Sequence, residues 1–118
     1  MQSNDAIHLE ELCHKTKEKK WREYIHNITE NKCIYCGEIS ESIDHLKPRS
    51  KGGITNLKNC VPSCLSCNAL KSDYEVMKWY RKQVIYDPRR AMMIRAWILG
   101  DFELVSRLIL WTKEKKYK

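Results

Sequence analysis

Long apolar runs are absent from this sequence. No stretch approaches the ~18 consecutive apolar residues of a membrane-spanning helix, so we expect no such helix. The N-terminal segment MQSNDAIHLEEL has neither the basic nor the apolar region of a secretory signal peptide. Internal repeats and low-complexity linkers are also missing. We therefore expect an intracellular, cytoplasmic protein.

The chain is short and basic. Its 118 residues predict one domain, whose apolar core alone would be only marginally stable. The formal net charge is +7, and residues 71–118 hold most of it, with 12 Lys and Arg against 6 Asp and Glu. A basic surface favours a polyanionic partner such as nucleic acid, although many other basic proteins share this composition.

Two Cys-x-x-Cys pairs, Cys33/Cys36 and Cys64/Cys67, give the first specific signal. Each pair is typical of a tight turn that directs two thiolates at one point, and two such turns supply the four ligands of a tetrahedral structural zinc site. Bound zinc would also stabilise so small a fold. The 27 residues between the pairs exceed the needs of a zinc ribbon, and they include residue types that serve in catalysis. We expect Cys60 to be a small buried apolar residue, with exchange into the zinc shell as the alternative.

A motif inside this segment resembles that of the HNH endonucleases, the ββα-metal or His-Me finger superfamily. The matching residues, in the order and spacing of the family, are Asp44, His45, Leu46, Pro48, Ser50, Gly52, Gly53, Asn59, Cys64, Cys67, Asn68 and Lys71. His45 falls at the first His of the motif and Asn59 at its Asn. Asn68 stands where many members have the second His, so the chain resembles an H-N-N variant.

The resemblance implies a metal-dependent DNA endonuclease that hydrolyses phosphodiester bonds and leaves 5′-phosphate and 3′-hydroxyl ends. His45 would be the general base, since neutral imidazole can accept a proton near neutral pH. Asp44 and Asn68 would supply oxygen ligands to a catalytic cation, which we expect to be Mg²⁺ or Mn²⁺. In a regular strand Asp44 and His45 point to opposite faces, so both can serve one phosphate only if the strand ends or bends there.

The same resemblance assigns a supporting role. Asn59 would hold the loop that carries His45 by hydrogen bonding. Apart from the resemblance, we expect Lys71, one turn after Asn68, and Arg49 to contact phosphate. The resemblance also implies a bacterial or phage-encoded type of cytoplasmic enzyme. We expect DNA, duplex or branched, as the partner, no membrane, and a monomer or homodimer.

Two other functions remain open from the sequence. A non-catalytic zinc-ribbon module that binds nucleic acid would need the Cys pairs but not Asp44, His45 or Asn68. A structure-selective nuclease that acts on branched DNA or RNA would share the whole motif. Loss of His45 would leave DNA integrity unaffected in the first case, and comparison of linear with branched substrates would identify the second.

The predicted fold is α+β and mainly helical. A zinc-stapled ββα-metal core, 31–72, lies between an N-terminal helical segment, 1–30, and a basic helical extension, 73–118. An apolar stripe predicts a helix over 4–29. Within the core we expect strands at 42–46 and 59–62, followed by a helix that begins within 63–71.

The helical extension has clear boundary signals. Asp87 and Pro88 predict a helix start, Gly100 its end, and Asp101 the start of a last helix. The expected core residues are Tyr74, Met77, Trp79, Tyr80, Val84, Ile94, Trp97, Ile98, Phe102, Val105, Leu108, Ile109 and Trp111. Candidate contacts to the DNA backbone are Arg81, Lys82, Arg89, Arg90 and Arg95. A second metal site at Cys13, His14 and His26 lacks compact spacing, so we expect packing or surface roles for these residues.

Overall fold

The computed structural model describes residues 14–113. The predicted helical residues 4–13, the Cys13 side chain and the tail 114–118 lie outside the described part. In chain order the elements are α1 (His14–Ile28), β1 (Ser42–His45), β2 (Cys60–Ser63), α2 (Leu65–Lys71), α3 (Val76–Tyr80), α4 (Pro88–Leu99) and α5 (Phe102–Thr112). Two single turns of 3₁₀-helix, Arg49–Lys51 and Leu57–Asn59, lie in the connection between the strands. The predicted α+β, mainly helical class with a ββα core is confirmed.

Strands β1 and β2 form an antiparallel hairpin. Asp44 lies opposite Val61, and His45 lies opposite Cys60. Because successive side chains of a strand point to opposite faces, Asp44 is buried while His45 is half-buried and faces outward. Strand β1 ends at His45, one residue earlier than predicted, and an end near this pair was the condition for Asp44 and His45 to serve one phosphate. Strand β2 starts one residue later than predicted, because Asn59 closes the preceding 3₁₀ turn.

The core lies between α1, the hairpin and the two C-terminal helices, α4 and α5, which pack against each other. Ile25 of α1 and Trp97 of α4 are completely buried. The boundaries of α4 and α5 follow the predicted signals: the Asp87 carboxylate accepts a hydrogen bond from the Arg89 amide, and Gly100 ends α4 in the left-handed conformation at φ +79°. Ile98 and Trp111 differ from the prediction, because they are 43% and 41% exposed on the outer sides of their helices.

The stretch from residue 73 to 86 is less helical than predicted. Only the short helix α3 forms, and its N-terminus is capped by the carboxylate of Glu75. Residues 81–86 make turns instead, because the Tyr80 hydroxyl accepts a hydrogen bond from the Asp87 amide and so fixes the path into α4. Tyr74 and Val84, which were expected in the core, are exposed. No helix within residues 14–113 combines the length and apolar character needed to span a bilayer.

Two arginines expected to contact DNA are buried instead. The Arg89 guanidinium pairs with the Asp87 carboxylate at 2.9 Å and donates to the Trp111 carbonyl at 3.0 Å. The Arg90 guanidinium donates to the Cys33 carbonyl at 3.0 Å and packs over Gly37, where a Cβ atom would lie 2.4 Å from its Nη2. Arg89 thus joins α4 to α5, and Arg90 joins α4 to the turn of the first cysteine pair. The prediction that both arginines bind phosphate was therefore wrong.

Candidate metal and catalytic site

The two cysteine pairs converge on one point. The Sγ atoms of Cys33, Cys36, Cys64 and Cys67 all lie within 4.8 Å of one another. A tetrahedral zinc with Zn–S bonds of about 2.3 Å separates its sulfurs by roughly 3.8 Å, and the Cys36 and Cys64 sulfurs are 3.7 Å apart. The four thiols therefore form a site that can hold a metal ion.

The pKa shifts of Cys33, Cys36 and Cys67 fit a cation at the centre. A hydrogen bond from Cys67 lowers the pKa of Cys33 to about 4. Burial raises the pKa of Cys36 to about 12, and the hydrogen bond to Cys33 raises that of Cys67. One thiolate thus forms readily while its neighbours resist ionisation, so four thiolates require a positive charge between them. Cys60 lies apart from this cluster in the core, and burial raises its pKa to about 11.

Two buried donors contact one oxygen of the Asp44 carboxylate. The Tyr35 hydroxyl donates to Asp44 Oδ2 at 2.5 Å, and the Lys71 ammonium lies 3.3 Å from the same oxygen. Among the described residues, none donates to the other oxygen, Oδ1. Burial raises the pKa of Asp44, while Tyr35 and Lys71 oppose that rise by stabilising the carboxylate. Sequence reasoning missed Tyr35, because a Tyr between two metal-binding Cys gives no signal of where its hydroxyl points.

His45 follows Asp44 on the outer face of the hairpin. Its Nε2 atom lies 2.9 Å from the Thr55 hydroxyl oxygen, and its Nδ1 has no hydrogen-bonding partner within residues 14–113. Burial lowers the pKa of His45, the charges of Arg49 and Lys71 lower it further, and that of Asp44 acts in the opposite direction. The neutral imidazole is thus favoured near pH 7. Thr55 was not predicted from the sequence, since it lies ten residues away in an irregular loop.

Asn59 closes the loop between the strands. Its side-chain oxygen accepts from the Lys47 amide at 2.7 Å, and its side-chain nitrogen donates to the carbonyls of Lys47 and Ile54 at 3.0 and 2.8 Å. Gly53 completes the closure, because any side chain there would meet the Lys47 carbonyl: a Cβ atom would lie 1.8 Å from its oxygen. The side-chain amide of Asn59 therefore holds the loop after His45 at two points, Lys47 and Ile54.

Helix α2 brings Asn68 beside strand β1. The Asn68 amide nitrogen donates to the Ser42 hydroxyl at 3.1 Å and to the Ile43 carbonyl at 3.4 Å. Within the described residues these are its only hydrogen bonds through the side chain, so the amide oxygen has none. Asn68 is half-buried, and its contact with Ile43 places it next to Asp44 along β1.

The two predicted phosphate contacts occupy different environments. Arg49 is exposed in the first 3₁₀ turn. Lys71 is completely buried, and its ammonium donates to the His45 carbonyl at 2.8 Å in addition to pairing with Asp44. The position of Lys71 therefore differs from that of a surface phosphate clamp: it joins the backbone of His45 to the carboxylate of Asp44.

An open cleft begins at Leu46, the residue that follows His45 in the chain. It has a volume of about 710 Å³, and residues of the loop between the strands form one wall. Three exposed lysines line it, Lys47, Lys51 and Lys58, together with apolar groups that include Ile54 and Ile98. The contacts to DNA expected from the sequence lie mainly in the C-terminal helices, and Arg49 is the one residue of this loop that was expected to contact phosphate.

Comparisons with known proteins bear on the resemblance to HNH endonucleases. The family model for HNH endonucleases matches residues 33–74. The chain is similar, with 28% identity over 62% of its own length, to the SPbeta prophage protein YoqL of Bacillus subtilis (strain 168), whose name assigns it to the HNH endonucleases. The match covers 42% of that relative, so the chain spans about two fifths of its length. No solved structure matches significantly.

The matched segment contains both cysteine pairs, the Asp44–His45 pair, Asn59 and Asn68. The sequence had already indicated the HNH endonucleases on these residues, and the family model, the relative and the convergence of the four cysteines confirm that resemblance.

Proposed function

We propose that this protein is a metal-dependent DNA endonuclease that hydrolyses phosphodiester bonds and leaves 5′-phosphate and 3′-hydroxyl ends. The observation that carries the proposal is the environment of His45. A neutral, outward-facing imidazole lies at the end of β1, directly after an anchored carboxylate, and the nearby Asn68 has an amide oxygen to which no described residue donates. A zinc ribbon that only binds nucleic acid has no use for such an arrangement.

His45 is proposed as the general base. In the tautomer whose Nε2–H donates to the Thr55 hydroxyl, the lone pair of Nδ1 is available to accept a proton from water. The low pKa keeps that lone pair unprotonated near neutral pH. Asn59 keeps the loop closed around this imidazole, and it performs no proton transfer itself.

Two cations are proposed. The four cysteines would hold a structural Zn²⁺, for which thiolate ligands are suited. Asp44 Oδ1 and the Asn68 amide oxygen would hold Mg²⁺ or Mn²⁺, whose preference for oxygen ligands they meet. That second cation would supply stabilisation of the negative charge that builds up on the phosphate during hydrolysis.

DNA is proposed to bind along the loop between the strands. Lys47, Lys51 and Lys58 are exposed and line the cleft, and Arg49 is exposed in the same loop. Glu75, which also lines the cleft, is engaged as the cap of α3, so its carboxylate is directed at two backbone amides. Positive charge therefore dominates this face, as contact with phosphates requires.

Conversion of supercoiled plasmid to the nicked form tests the proposed function. We expect nicking by the wild-type protein with Mg²⁺ or Mn²⁺ and none with EDTA. His45→Ala should be at least ~100-fold slower, because loss of a general base has effects of this size. His26→Ala is the matched control, since His26 is also half-buried and has a lowered pKa but bonds to Ser40 instead.

Equal inactivity of the wild type and His45→Ala on plasmid and on branched DNA, with DNA binding retained, would refute catalysis and favour the binding module. Faster cleavage of branched than of linear DNA would instead identify a structure-selective nuclease. Zinc is tested separately: Cys33→Ser should lose the metal and the fold, whereas Cys60→Ala should retain one zinc per chain.

A further inference from the structure

We propose that Tyr35 is a positioning residue for the catalytic cation: with Lys71 it occupies Oδ2 of Asp44 and so leaves Oδ1 to the cation. The inference rests on the proposed function of Asp44 as a metal ligand. It adds Tyr35, which is not among the motif residues named above, and it assigns the two oxygens of one carboxylate to different tasks.

The contacts of Asp44 are unequal. Both buried donors approach one oxygen, the Tyr35 hydroxyl at 2.5 Å and the Lys71 ammonium at 3.3 Å. A carboxylate oxygen that accepts two such bonds has little remaining capacity for a cation. Because Oδ1 has no donor among the described residues, it is the oxygen through which the carboxylate can bind a metal. Partners of this kind orient metal ligands and tune their basicity.

Tyr35 itself is rigidly held. It is completely buried, and its ring lies edge-on against Trp79 with the centroids 5.2 Å apart. The carbonyl of Tyr35 accepts a hydrogen bond from the Tyr80 hydroxyl at 2.8 Å. The position of the Tyr35 hydroxyl is therefore set by the C-terminal helical part of the chain, and removal of that hydroxyl alone leaves the ring packing in place.

Mn²⁺ binding in the absence of DNA tests the inference. The loss of the free Mn²⁺ signal in electron paramagnetic resonance would be measured for zinc-loaded wild type, Tyr35→Phe, Tyr80→Phe and Asp44→Asn. We expect Tyr35→Phe to weaken Mn²⁺ binding about tenfold or more, because loss of a partner of a metal ligand has effects of this size. The concentration of Mn²⁺ that gives half-maximal nicking should rise by the same factor, while the rate at saturating Mn²⁺ stays largely unchanged.

Tyr80→Phe is the matched control. It removes a second buried hydroxyl of the same aromatic cluster, one that bonds to backbone and not to Asp44. We expect it to lower the melting temperature and to leave Mn²⁺ affinity within about twofold of the wild type. Unchanged affinity in Tyr35→Phe, or an equal loss in both variants, would overturn the inference. If the wild type binds Mn²⁺ no better than Asp44→Asn, the proposed cation site itself is wrong, and the inference falls with it.

Discussion

Replacement of Lys71 by Met should destabilise the protein far more than a surface lysine substitution does. The Lys71 side chain has no exposed surface, and that of Asp44 is 6% exposed. Removal of the ammonium leaves the Asp44 carboxylate buried with the Tyr35 hydroxyl as its remaining donor, and it also removes the bond to the His45 carbonyl. Loss of one partner of a buried ion pair costs about 3–5 kcal/mol, a large fraction of the roughly 5–15 kcal/mol that stabilises a typical domain.

A double-mutant cycle separates this charge effect from lost packing. Asp44→Asn removes the negative charge but keeps an oxygen that can accept from Tyr35, so Asp44→Asn combined with Lys71→Met leaves no unpaired charge. We expect the double variant to be more stable than the sum of the two single effects predicts, with a coupling of about 1–3 kcal/mol.

Urea unfolding with saturating zinc, followed by far-ultraviolet circular dichroism, measures these free energies. Lys47→Met is the control, because Lys47 is an exposed lysine of the same region, and its substitution should change stability by about 0.5 kcal/mol or less. A loss below about 1 kcal/mol in Lys71→Met, or strictly additive effects in the double variant, would refute the idea that Lys71 is the buried counter-ion of Asp44.

Three further predictions concern the loop and the base. The acid limb of kcat/KM for nicking should lie below pH 6.5, because burial lowers the pKa of His45 and the base must be unprotonated. Arg49→Gln should move this limb to higher pH by removing a positive charge. A limb above pH 6.5 in the wild type would contradict the prediction. Gly53→Ala should cost about 2–3 kcal/mol in urea unfolding and abolish nicking, whereas wild-type activity would show that the loop closes differently. Lys51→Glu should weaken plasmid binding and reduce its salt dependence, while the same charge change at the exposed Arg107 should have a much smaller effect; equal losses would exclude a specific role of the cleft.

The parts of the fold that the sequence predicted are those encoded by near neighbours. Asp87 caps its helix through an amide two residues away, and Gly100 ends the same helix through its own left-handed backbone. The cysteine turns are likewise local, and their convergence follows from metal chemistry. The burial of the charged side chains Arg90 and Lys71 could not be predicted from near neighbours in the sequence. Arg90 is buried because its partner is the Cys33 carbonyl, 57 residues away, and Lys71 is buried because it meets Asp44 across the hairpin. Such pairings exist only once the tertiary fold forms.

Helix α2 links the cysteine cluster to the residues of β1 that are proposed for the site. Its first turn is fixed by Cys64 and Cys67, which belong to the metal cluster. Further along the helix, Asn68 contacts β1 beside Asp44. The Lys71 ammonium contacts both the carboxylate of Asp44 and the carbonyl of His45. A shift of this helix would therefore move the amide, the carboxylate and the base together. Removal of the ion proposed at the four cysteines should accordingly abolish binding of the proposed second cation even under conditions in which α4 and α5 remain folded, because Cys64 and Cys67 fix the helix that places Asn68 beside Asp44.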